Sequence, residues 1–223
     1  PILTPAVYEA LWQAGLYEYT YHQRRVGLFI ATPPPTRTGV HPDLFTEFTE
    51  ILGDLWAVLA GNDDIYPVAR AQVGGAVALA EACGALSRGQ LDAAVIAGVE
   101  SHLDSAYLDE LLAADRLHTS DRSGGIIPGE GGGVFVLETA EAARRRKAPV
   151  LARVSRLALE QEPEGWTPRR PSQGTALARA LQAVLASDPQ VYHRLIVDHN
   201  GERWRFREWA LAEPRALASL PPR

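Results

Sequence analysis

The chain has 223 residues, of which 46% are hydrophobic and 22% charged, and a net charge of −5. That is enough apolar material for one large layered domain or two small fused ones, and the negative balance argues against a nucleic-acid binder, whose footprint is a basic patch. One cysteine permits no disulfide within the chain, in keeping with a cytoplasmic location. No signal peptide and no bilayer-spanning apolar run is read, so no membrane partner is expected.

In chain order, Thr4 or Pro5 opens a helix through Ala14, stopped by Gly15. Val26–Ala31 is a continuous apolar run, which predicts a strand in a sheet covered on both faces. Thr32-Pro-Pro-Pro-Thr36 ends it in a loop. Residues 45–59 carry a helical stripe of Phe45, Phe48, Ile51, Leu52 and Leu55. A short strand is expected at Ile65–Val68, then a helix from Ala71 to Ser87 rich in alanine and glycine. Such small side chains allow close packing, at some cost in helix stability. An apolar strand follows at Leu91–Gly98, then a polar helical insert containing Leu108–Leu112. Gly129–Gly133 is expected to be a glycine turn before the strand Val134–Glu138. It lacks the lysine of a phosphate-binding loop and precedes a strand rather than a helix.

Glu141–Arg146 predicts a helix whose Arg144–Lys147 cations complement its dipole. Val150–Val154 predicts a strand, and Glu162–Pro171 a proline-rich connection. Ala176–Ala186 predicts a helix and Arg194–Val197 a strand. In Arg203–Trp209 arginines alternate with aromatics, as on an amphipathic edge strand or turn. The same segment also suits partner docking, because Trp and Arg anchor interfaces.

Four segments in order carry a resemblance. They are Gly74-Gly75 early in a helix, Arg88-Gly-Gln-Leu-Asp92 at its end, Ala97-Gly-Val-Glu100 after the next strand, and Gly129-Glu-Gly-Gly-Gly133. This succession resembles the β-ketoacyl synthases of the thiolase superfamily. The resemblance implies an α/β fold, a layered α-β-α-β-α sandwich whose second half is shortened. It divides the chain into a thiolase-like half over 1–160 and a shorter half over 161–223.

In that family a nucleophilic cysteine stands at the head of the buried helix, about where this chain has Gln72. Free N–H groups and a partial positive charge at a helix start favour a thiolate. A glutamine amide neither ionises nor forms a thioester, though it donates and accepts hydrogen bonds. Relatives with glutamine here are loading ketosynthases, which decarboxylate malonyl groups, and chain-length-factor subunits, which assist a catalytic partner. Gln72 equally suits a helix cap or filler. Active members also carry a His-Gly-Thr turn after a strand. His199, in Asp198-His-Asn-Gly-Glu202, occupies a comparable place without the Gly-Thr, and equally suits a turn residue. No second histidine motif follows. Where many members have Arg-Asp-Gly-Phe with a gating phenylalanine, this chain has Ser123-Gly-Gly-Ile126. Cys83 lies eleven positions beyond Gln72, roughly 16 Å along a helix, and does not replace the nucleophile.

The expectation is a catalytically deficient ketosynthase-like protein, a partner subunit or scaffold in fatty-acid or polyketide-type assembly. A malonyl-thioester decarboxylase or acyltransferase without a cysteine is the alternative, with Gln72 and His199 as site residues. The expected partners are an acyl carrier protein and a ketosynthase-like subunit, in a homo- or heterodimer with Ile65–Val68 near the interface. No cofactor and no metal are expected.

Overall fold

The computed structural model describes residues 3–16, 24–41, 50, 56, 65–69, 73–162, 171–186 and 194–218. They fall into two compact units, one from residues 1–107 and 129–153, the other from 108–128 and 154–223.

The first unit is built on one four-stranded sheet. Its strands are β1 (Val26–Thr32), β2 (Ile65–Ala69), β3 (Ala93–Ser101) and β4 (Glu130–Glu138), in the spatial order β2-β1-β3-β4. β1 is parallel to both β2 and β3, and β4 runs antiparallel to β3. Alternation along β1 sends side chains to both faces. Val26, Leu28 and Ile30 join Leu3, Val7 and Leu11 of helix α1 (Leu3–Gln13). Phe29 joins Ala78, Ala82, Ala85 and Leu86 of helix α2 (Gly74–Ser87) on the other face. The same division runs along β3, with Val95 facing the α1 cluster and Ile96 the α2 cluster. The continuous apolar run at 26–31 is thus a central strand between two helical layers. Pro67, which cannot donate to a ladder, lies in β2 at the sheet edge.

The described layers, α1, sheet and α2, are part of the layered α/β fold that the resemblance implies. Several expectations need correction. Helix α2 is buried along one face, at Gly74, Ala78, Ala82, Ala85 and Leu86, rather than for most of its surface. The glycine segment is strand rather than turn: Gly131, Gly132 and Gly133 pair with Glu100, Val99 and Gly98. An antiparallel ladder needs backbone groups, and the long β3 supplies them. The apolar stretches at 150–154 and 194–197 are not strands, and no described segment pairs with them. The helix expected at 45–59 lies outside the described residues, apart from Glu50 and the buried Trp56.

Helix α3 (Ser105–Ala113) leaves the first unit, and helix α4 (Ala140–Arg145) follows β4. The second unit contains α5 (Thr175–Leu185) and α6 (Arg203–Ala218), packed through Ala176, Ala178, Ala212 and Ala216. The segment 203–209 is therefore the start of a helix, not an edge strand. Gly174, with φ +66°, makes the close approach possible: a Cβ there would meet the Glu208 carbonyl at 2.6 Å. No described helix is long and apolar enough to cross a membrane.

Candidate functional site

The resemblance pointed to the start of α2. The cap position there is Val73, whose side chain makes no capping hydrogen bond. The described part of the helix begins at Gly74. Gly74 packs on the sheet, where an added Cβ would stand 3.2 Å from the Ala31 Cβ and 3.6 Å from the Val68 carbonyl oxygen. Gln72 itself lies outside the described residues. Cys83, the thiol further along α2, is half-buried, and burial pushes its pKa up. A thiol shifted that way is a poorer nucleophile at neutral pH.

The turn after α2 closes tightly. Gln90 N donates to Ala85 O at 2.9 Å, with Gly89 at φ +65°, a left-handed cap that satisfies end carbonyls. Asp92 then accepts from Arg25 N at 2.9 Å and pairs with the Arg25 guanidinium at 3.1 Å. Those hydrogen bonds hold the Asp92 carboxyl below its ordinary pKa. The aspartate of the Arg88–Asp92 motif thereby ties the turn to the residue that precedes β1. Glu100, from the next motif, accepts from Arg37 at 2.7 Å, and Arg37 lies 4.6 Å over the Tyr107 ring. Both motif carboxylates serve the architecture of the first unit.

His199 lies in the second unit. Its ring centroid is 4.1 Å from that of Phe206 and 6.4 Å from that of Trp209, the latter edge-on. Its Nε2 is buried with no hydrogen-bond partner among the described residues. The histidine therefore packs on the aromatics of α6. Two residues on, Gly201 adopts φ +94° against Gly125. Gly125 N donates to Gly201 O at 2.9 Å, and a Cβ at 201 would meet Gly125 O at 2.3 Å. The second unit thus brings together the Ser123–Ile126 segment and the loop that carries His199. Ile126 is buried and donates through its N–H to Arg116 O at 2.7 Å.

Beside this contact is an ion cluster that sequence reading missed. Glu202, only 3% exposed, accepts from Arg116 Nε at 2.7 Å and from Asn200 Nδ2 at 2.8 Å. Arg205, 8% exposed, pairs with Asp198, lies 3.7 Å from Glu202, and stacks 4.6 Å over Trp204. Burial pushes the Glu202 carboxyl up, but hydrogen bonds led by Arg116 and Asn200 outweigh it and hold the pKa below the ordinary value. Arg116 and Glu202 are 86 positions apart, so no local pattern signals the pair. Among the described residues, no group of three or more His, Cys, Asp or Glu side chains is placed to hold a metal ion.

Residues 66–143 match the family of the β-ketoacyl synthase N-terminal domain. That span contains Gln72 and all four segments that carry the resemblance. No curated protein matches the sequence. Among solved structures, the chain is similar to the ketosynthase from module 6 of the bacillaene synthase of Bacillus subtilis 168. The TM-score is 0.73 and the identity 16%, over 97% of this chain and 40% of that one. It is similar also to an oxazolomycin ketosynthase domain of Streptomyces albus JA3453, with TM-score 0.72 and 20% identity over 97% of this chain and 41% of that one. A third is a type II polyketide ketosynthase in complex with its acyl carrier protein, with TM-score 0.67 and 18% identity over 94% of this chain and 60% of that one. The fold is that of the thiolase-like ketosynthases, and the chain spans about 40% of the length of the first two.

Proposed function

We propose that this chain is a catalytically deficient ketosynthase-like protein, acting as a partner subunit or scaffold in fatty-acid or polyketide-type assembly. The observation that carries the reading is Gln72, which stands where the resemblance expects cysteine. Condensation needs a nucleophile that holds the first acyl group, and a primary amide does not. His199 supports the reading too, since its ring is engaged with Phe206 and its Nε2 is enclosed. An acyl carrier protein is the proposed partner; a similar ketosynthase is known in complex with one. Exposed Arg203, Phe206 and Arg207 on α6 offer cations and an apolar contact to an acidic carrier. A ketosynthase-like subunit is the second proposed partner. β2 is an edge strand, and edges need covering, which supports a homo- or heterodimer joined near Ile65–Val68.

The test is incubation with acyl and malonyl carrier protein, followed by mass spectrometry. The expected result is no covalent acyl adduct, no condensation product and little or no acetyl product from decarboxylation. Gln72→Cys alone is expected not to restore condensation, because the His199 ring is engaged with Phe206 and its Nε2 is enclosed. Substantial decarboxylation that disappears in both Gln72→Ala and His199→Ala would overturn the proposal and establish a decarboxylase.

A further inference from the structure

We infer that a cleft in the first unit, at the end of the sheet away from the first turn of α2, is a binding site for the phosphoryl groups of a small phosphorylated molecule. The cleft has a volume of about 530 Å³, and Arg24, Arg145, Arg146, Thr139 and Asp92 are among the residues that line it. That volume is in the range of small-molecule pockets, about 300 to 1,000 Å³.

The charges around it do not cancel. Asp92 is committed to Arg25, through both the backbone N–H and the guanidinium. Glu138 is shared, accepting from Arg24 at 3.2 Å and from Arg146 at 2.5 Å. One carboxylate between two guanidiniums leaves a positive charge over. Arg145 pairs with Glu141 at 4.0 Å, where both side chains are about three-quarters exposed. Such a solvated pair is weak, so the Arg145 head is available to a ligand. Arg144 and Lys147, also exposed, add to the local field. This positive excess is local, in a chain whose net charge is −5.

The lining suits oxyanions, and Arg24, Arg145 and Arg146 are the groups that would hold phosphoryl oxygens. Guanidinium forks match phosphate oxygens in pairs. Arg24 and Arg146 are oriented beforehand by Glu138, and Arg146 also by a 2.6 Å bond to Ala14 O, so little side-chain freedom is lost on binding. Thr139 Oγ accepts from Ala142 N at 3.1 Å, which leaves its hydroxyl hydrogen free to donate. The cleft borders Gly89, past the last turn of α2. Fourteen helical residues, about 20 Å, separate it from the helix start, so a ligand here does not compete with one at that end. The inference is independent of the proposed function.

Calorimetric titration of the full chain at low ionic strength tests it, with pyrophosphate, inorganic phosphate, ADP and citrate as probes. Saturable binding of pyrophosphate is expected, with inorganic phosphate and citrate weaker. ADP binding more tightly than pyrophosphate would identify a nucleotide as the source of the group; the reverse order would identify a free phosphate compound. Arg145→Glu should weaken pyrophosphate by about tenfold or more, while Arg153→Glu, which changes charge outside the cleft lining, should leave it unchanged. If Arg145→Glu shows an altered circular dichroism spectrum, Arg145→Gln serves in its place, with the same direction of effect. No saturation at millimolar pyrophosphate, citrate binding as tightly as pyrophosphate, or equal losses in the Arg145 and Arg153 variants would overturn the inference.

Discussion

In the sheet-bearing unit the deepest side chains are aliphatic, with Val26, Leu28, Ile30, Val95 and Ile96 at or below 2% exposure. In the other unit α5 and α6 meet through alanines, and Ser172, Glu202 and Arg205 are buried with them. By whole-residue exposure these three are the buried polar residues among those described, while in the first unit the Glu138 side chain, 6% exposed, is the one enclosed between Arg24 and Arg146. Apolar burial is non-directional and indifferent to protonation. A buried polar network is directional, and fails as a set when one member is lost. The first unit should therefore respond to lost volume, and the second to lost charge.

The largest effect is expected in the first unit. Leu28→Ala should cost about 2–5 kcal/mol, measured by urea denaturation, with the same loss at neutral and at mildly acid pH. A pH-dependent loss would break the contrast. Glu202→Gln should cost about 2–3 kcal/mol, because it leaves Arg116 without its carboxylate. Amide exchange followed by mass spectrometry should place that loss in α6, and unchanged exchange there would refute the role given to the cluster.

Acid sharpens the comparison further. The folded pKa of Glu202 lies below its unfolded value, which is about 4.3. Its contribution is complete above the unfolded value and is lost as the pH falls through the folded one. Protection of α6 should thus fall in that acid window in the wild type, and Glu202→Gln should remove the step. Asp92 titrates in the same direction, but its pair with Arg25 is solvated, so a smaller acid step is expected in the first unit. The smallest effect concerns Thr139, whose hydroxyl caps α4 by accepting from Ala142 N. Thr139→Ala should cost about 1 kcal/mol, seen as a small shift in thermal midpoint.

The legibility of the sequence follows the same contrast. Val26–Ala31 reads as a buried strand because both its faces meet helices, so nothing interrupts the apolar run. Gly131–Gly133 reads as a turn because glycine carries no face pattern; its strand state comes from the partner β3, not from its own residues. The stretches 150–154 and 194–197 look like strands by composition, but a strand is a property of a pair. At 203–209 the alternation of arginine and aromatics concealed a helix. Glu202, Arg205, Ala212 and Ala216 are buried at spacings of three, seven and four, which is helical period, with the polar members disguising the stripe. For the candidate site, local motifs singled out Gln72 and His199 as expectations, of which His199 is seen packed on Phe206. The Arg116–Glu202 pair and the Gly125–Gly201 contact join distant segments, and no window of sequence contains either.

The packing of Gly74 has a consequence for the chain's stability. The first turn of α2 rests on Ala31 and the Val68 carbonyl, and a Cβ at position 74 would need Ala31 to give by a few tenths of an ångström. That demand arises from folding, since a larger side chain would press on the Ala31 methyl of β1. The close seat of the helix on its sheet is thus a requirement of folding, whatever chemistry the neighbouring residues carry.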